Sequence, residues 1–159
     1  MMRLTKILAL VLACVSVPGG ALPVAAAPRA AHTHALSGLP VIPLTIVSHR
    51  QRHRFRVEVA ASQEQQARGL MFRKAMGADE GMIFPMSPPR TAAFWMHNTV
   101  LPLDLVFIAP DGRILTIAAD AVPYSDAQIP SGGIVKAVLE LNGGRAAALG
   151  IHVGDRVSW

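Results

Sequence analysis

From Leu44 onward the chain is written in short pieces, and that punctuation limits what it can fold into. Leu44-Thr45-Ile46-Val47 is followed by a polar turn and then by Arg54 to Ala60. In that second piece Phe55, Val57 and Val59 share one face while Arg54, Arg56 and Glu58 share the other, the alternation of a half-buried strand. Further strands are predicted at Gly81–Met86, Thr91–Thr99, Leu103–Ala109, Arg113–Ala119, Val135–Leu141 and Arg156–Trp159, and Asp111-Gly112 is a hairpin signal. Ser62 opens a helix over SQEQQARGLMFR, with Gln65 completing a capping box and Gly69 either inside the helix or ending it. A second short helix over Arg145–Leu149 stops at Gly150, a natural left-handed cap. About seven or eight short strands with two short helices describe a mainly β (α+β) domain, a compact barrel-like or strongly bent sheet.

The N-terminal segment has a different character. Arg3 and Lys6 precede an apolar run from Ile7 to Val17, and Pro18, Gly19 and Gly20 break it before the small residues Val24-Ala25-Ala26-Ala27. Such a run is too short for a bilayer span, which needs about 20 residues, and no later run approaches that length. Residues 1–27 are therefore expected to be an export signal, with a periplasmic or secreted destination. Cys14, the one cysteine, lies inside this signal in a setting that only faintly resembles a lipoprotein site. Normal removal of the signal leaves no thiol, which excludes disulfides, thiolate nucleophiles and cysteine metal sites. Residues 28–43 are short of large apolar side chains and are expected to form a flexible leader before a single domain over 44–159. Without the signal, 13 basic side chains face 10 acidic ones, too mild an excess to imply nucleic acid.

Several blocks, taken in order, resemble a known family. They are VEVA at 57–60, QEQQARGLMFR at 63–73, EGMIFPM at 80–86, FWMHNTVLPLDLVFI at 94–108, DGRI at 111–114, AVLELNGG at 137–144 and LGIHVGDRV at 149–157. Together they resemble the small exported proteins of the domain of unknown function 192 family, over roughly residues 44 to 159. The resemblance implies a β-rich fold and export, and it brings no established activity. At the position of His97 the family usually carries lysine, so a permanent charge there is replaced by a group mostly neutral at pH 7.

The candidate site joins the RGLM block to the FWMHNT block. Asp104 lies in a strand apolar on both faces, on the side of Val106 and Ile108, where a carboxylate needs a partner. Arg68 could supply that partner as an architectural ion pair. Alternatively, Arg68 and Arg73 could face a pocket and hold an anionic ligand with Asp104 orienting them. Strand alternation sets Trp95, His97 and Thr99 together, a suitable wall for a sugar or other small amphipathic ligand, or else part of the core. Asn98 stands before a turn and is expected to bond backbone groups. The ligand-binding set is thus Arg68, Arg73, Trp95, His97, Asn98 and Asp104, with no catalytic residue, metal ligand or cofactor assigned.

Other constellations carry bland readings. Met71, Met76, Met82, Met86 and Met96 could bind Cu(I), but methionine is a common core filler. Arg50, Arg52, Arg54 and Arg56 would line one face if extended, a solvated hairpin or a stripe for an acidic surface. No aromatic is interleaved for base stacking. Enzyme templates are absent, leaving His97 with Asp104 as the best acid–base pair and Glu140 with Asp104 as a carboxylate pair of unknown separation. The expectation is an exported ligand-binding or accessory module of the cell envelope, its ligand a sugar or acidic metabolite. A hydrolase or transferase using Asp104 and His97, and a structural module with a protein partner, remain the alternatives.

Overall fold

In the computed structural model, residues 32–159 are described. The expected signal over 1–27, with Cys14, lies outside the described residues. In chain order the elements are β1 (His32–Thr33), β2 (Pro40–Ser48), β3 (Gln51–Val59), α1 (Gln63–Arg68), β4 (Glu80–Arg90), β5 (Ala93–Phe94), β6 (Leu103–Ile108), β7 (Ile114–Ala121), β8 (Ile129–Pro130), β9 (Val135–Asn142), α2 (Arg145–Ala148) and β10 (Arg156–Ser158).

One large sheet runs in the order β1-β2-β3-β4-β9-β6-β7, and β10 shares the outer edge of β2 with β1. The β2–β3 hairpin turns at His49 and Arg50, both at positive φ, the backbone twist that suits a tight hairpin. β3 and β4 run parallel, and the connection between them carries α1. The remaining pairings in the large sheet are antiparallel. β5 and β8 form a separate two-stranded ribbon. The sheet curls until its far edge returns to β10. There Ile114 N–H donates to the Asp155 carbonyl (2.9 Å) and Val157 N–H to the Gly112 carbonyl (2.8 Å), beside a single bridge between Arg113 and Arg156. The result is a strongly bent sheet joined by a short seam rather than a closed barrel.

The central strands are covered on both sides, and β6 is buried at every position. Strand alternation sorts their side chains into two apolar clusters. One holds Leu44, Ile46, Phe55, Val57, Ile83, Val106, Ile108, Leu139 and Leu141, and α2 contributes Ala146. The other holds Met82, Phe84, Leu105, Phe107 and Val138 and is covered by Leu70 and Met96. The second cluster positions the site, because its cover consists of the RGLM and FWMHNT blocks.

Two sequence expectations are corrected and one is decided between its alternatives. Gly69 ends the first helix instead of lying inside it, so α1 stops at Arg68 and does not reach Arg73. The Ser62–Gln65 capping box forms, but Gly69 takes a positive φ of 48° and Leu70 turns into the core at 2% exposure. The strand expected over Thr91–Thr99 survives only as β5, since His97 and Asn98 form a turn with Asn98 at positive φ. The leader expected over 28–43 is partly built into the sheet. β1 pairs with the start of β2, and the Ser37 hydroxyl hydrogen-bonds the buried Glu58 carboxylate.

Candidate ligand-binding cleft

Phe72 N–H donates to the Asn98 carbonyl (2.9 Å), and Tyr124 N–H donates to the Thr99 carbonyl (3.1 Å). These bonds tie the loop after α1, the FWMHNT turn and the 122–126 loop into one cover over the sheet. Phe72, Asn98 and Tyr124 are all non-glycine residues at positive φ. Three such residues joined at one point mark a backbone held in place by its surroundings.

Between this cover and the sheet lies a cleft of about 370 Å³. Its mouth carries Arg68, Arg90 and Thr91, its wall Trp95 and His97, and its interior Phe84, Met86, Phe94, Thr99 and Glu140. Trp95 stacks on His97 with ring centroids 5.0 Å apart and 28° between planes. His97 Nδ1 lies 2.6 Å from Asp126 Oδ1, which fixes the imidazole against the indole. Phe84 and Phe94 meet edge to face at 5.1 Å, a favoured arrangement for aromatic pairs.

Glu140 is the unusual member. It lies between Met82 of β4 and Leu105 of β6 and is 5% exposed. Burial pushes its carboxyl up to about 8, with no hydrogen bond or opposite charge among the described residues to counter it. Its neighbour Gly81 is required by packing, because a Cβ there would sit 2.5 Å from the Glu140 carbonyl oxygen.

The two other buried carboxylates are satisfied. Asp104 accepts from the backbone N–H groups of Asp120 and Gly144 (2.9 Å each) and of Ala146 (2.8 Å). Gly144 heads α2 and has no side chain to cap it, so Asp104 supplies the cap from β6. Burial alone would raise the Glu58 carboxyl, but Arg73 and Ser37 hydrogen bonds, with His34 nearby, together hold it below the usual carboxylate range. Arg73 grips it through both terminal nitrogens, the second at 3.0 Å.

The sequence-derived set therefore divides. Arg68, Trp95 and His97 meet in the cleft. Arg73 is spent on Glu58, so the expected buried ion pair exists with other partners. Asn98 serves the turn through its backbone. Asp104 faces the cluster containing Val106 and Ile108, on the opposite side of the sheet from Glu140. Neither the His97–Asp104 nor the Glu140–Asp104 pair can form, because the sheet itself lies between their members. Met82, Met86 and Met96 are buried in the second cluster. Arg52, Arg54 and Arg56 are exposed on β3. Arg90 was not among the sequence candidates, and Asp126 was seen there only as a loop residue. Glu140 was signalled by a carboxylate in the otherwise apolar run AVLEL, without a sign of its environment.

Residues 45–159 match the family described as domain of unknown function 192, "Uncharacterized ACR". No curated protein matches the chain. Among solved structures, a protein of unknown function from Novosphingobium aromaticivorans is similar at 49% identity and a TM-score of 0.80, over 88% of this chain and 100% of its own. A protein from Sinorhizobium meliloti, described as a candidate transcription regulator, is similar at 41% identity and a TM-score of 0.74, over 76% of this chain and 94% of its own.

Proposed function

The chain belongs to the domain of unknown function 192 family, and we propose that it is an exported binding module of the cell envelope that takes a small polar ligand in the Arg68–Trp95–Glu140 cleft. The observation that carries this reading is Glu140. A carboxyl group without a hydrogen-bond partner in a buried position costs stability, and such a cost is ordinarily removed unless a ligand uses the group. Its neighbours support the reading. A cleft of 370 Å³ falls in the range of small-molecule sites, which combine apolar walls with a few convergent polar groups. Arg68 and Arg90 have no ion-pair partner among the described residues, which leaves both guanidiniums free for an acidic or hydroxyl-rich group. Among the described residues no helix is long and apolar enough to cross a membrane. The Sinorhizobium protein's description is not carried over: α1 has six residues and α2 four, so neither supplies a recognition helix.

The test is a thermal-shift screen of the purified protein against sugars, cell-wall fragments and small acids, repeated with Arg68→Ala and Trp95→Ala. A ligand at 100 times its dissociation constant adds about 2.7 kcal/mol, a shift of several degrees. Both residues are exposed, so the variants should keep the fold and lose the shift. A shift retained in both variants places the ligand elsewhere and rejects the reading.

A further inference from the structure

The cleft is polarised along its depth. Its inner end holds one carboxyl group, Glu140, 5% exposed and lining the space, while among the described residues the polar side-chain atoms sealed away without a partner are His53 Nε2 and Arg145 Nε, outside the cleft lining. The rings of Phe84 and Phe94 and the thioether of Met86 line the same cleft. Aromatic faces attract cations through the ring quadrupole, and aromatic walls with a buried acid are suited to an ammonium group. The mouth has the opposite sign, with Arg68 and Arg90. The titratable groups lining the cleft are Arg68 from α1, Arg90 from the end of β4, His97 from the turn and Glu140 itself. β6 presents Leu103, Leu105 and Phe107 on this side. Among the described residues no second acid lines the cleft to share a proton with Glu140, and no cation counters its burial.

Resting on the binding-cleft reading above, we propose that the ligand is a compact zwitterion whose ammonium, primary or methylated, sits against Glu140 and the phenylalanine rings while its acidic group meets Arg68 and Arg90. Glu140 is protonated in the empty cleft near neutrality, because burial favours the neutral form. An arriving ammonium stabilises the carboxylate, so Glu140 gives its proton to the solvent as the ligand seats. One proton leaves, one buried ion pair forms, and no covalent bond changes. The hydroxyl of Thr99 donates to the His97 carbonyl at 3.2 Å, so it does not compete for the carboxyl.

Calorimetry with four probes tests this on the purified protein: β-alanine, its trimethylammonium analogue, propionate and propylamine. The zwitterions are expected to bind more tightly than propionate or propylamine. Their affinity should rise about tenfold per pH unit below the Glu140 pKa of about 8 and level off above it. Repeating the titration at pH 7 in buffers of different ionisation enthalpy should show close to one proton released per ligand. Glu140→Gln should abolish that release and weaken both zwitterions and propylamine at least tenfold, leaving propionate unchanged. Arg68→Ala should weaken propionate and the zwitterions alike. Propionate binding without ammonium binding, or zwitterion affinity that falls as pH rises, overturns the proposal and leaves the binding-cleft reading standing. Binding of none of the probes overturns the zwitterion proposal, and a blank thermal screen beside it removes the cleft reading as well.

Discussion

Replacing Glu140 with glutamine preserves the shape of the side chain and removes its titration, so the variant isolates what the buried acid costs. The carboxyl moves from an ordinary value of 4.5 to about 8 on folding. The folded chain therefore holds the proton more tightly than the unfolded one. Below pH 4.5 the acid is neutral in both states and costs nothing extra. As pH rises through 4.5 to 8, the unfolded chain ionises and the folded chain cannot follow, so stability falls by about 1.4 kcal/mol per pH unit and then levels off. At pH 7 the accumulated cost is about 3 kcal/mol. Glu140→Gln should accordingly match the parent near pH 4.5 and exceed it by about 3 kcal/mol at pH 7, roughly 10 °C in Tm for a domain of this size. Urea unfolding of both proteins at intervals from pH 4.5 to pH 9 measures the difference directly. A difference that stays flat across that range would refute the assignment, because it would mean that Glu140 is ionised in the fold or has a partner. A sloping difference with a break near pH 8 would locate its titration.

Asp104→Ala strands three backbone N–H groups, that of Ala146 buried and those of Asp120 and Gly144 part-buried. It should cost about 3 kcal/mol or more and release α2, measurable as a lowered urea midpoint and faster amide exchange at Gly144 and Ala146. Arg73→Ala takes from the buried Glu58 carboxylate its arginine counter-charge, leaving the Ser37 hydrogen bond and nearby His34, and should cost about 3 kcal/mol, whereas the double replacement Glu58→Gln with Arg73→Met should recover much of that loss. Because the Glu58 carboxyl is held below its ordinary 4.5, its contribution is present above that pH and is lost as pH falls through the lower folded value, opposite in sign to Glu140. Gly81→Ala forces a Cβ against the Glu140 carbonyl and should destabilise the β4–β9 pairing, read as early amide exchange along those two strands. Ser62→Ala removes the helix cap and should cost about 1 kcal/mol in the same urea assay.

The parts of this architecture that depend on local chemistry were legible in the sequence. The alternation of Phe55, Val57 and Val59, the Asp111-Gly112 turn, the Ser62 capping box and the apolar run of β6 each specify their own element, and each is found. The parts that depend on contacts distant in sequence were not. Arg68 and Arg73 are five positions apart and equally able to form an ion pair. Which one is buried is decided by the chain reversal at Gly69 and by Glu58 across the sheet. Asp104 was recognisable as a carboxylate needing partners, but those partners are backbone groups of the loop at Asp120 and of the start of α2, and no side-chain pattern announces them. Trp95, His97 and Thr99 reach the same cleft although the strand expected to align them is a turn, because backbone bonds to Phe72 and Tyr124 hold that turn over the sheet.

Strand β9 has two vocations along one line of residues. Leu139 and Leu141 join the core that α2 closes, while Val138 and Glu140 serve the covered face with the cleft. A chain built this way can diversify in recognition without renegotiating its architecture. Changes at alternate positions, and in the cover that overlies them, alter what the cleft accepts while Ala137, Leu139 and Leu141 keep the scaffold. The same partition constrains how variation can arrive. An insertion of one residue in β9 ahead of Glu140 that no bulge absorbs would exchange the two sets from that point on, sending Glu140 into the scaffold and a leucine into the cleft. Descendants of this sequence are therefore free to drift by substitution at Glu140 and its neighbours and are barred from drifting there by length.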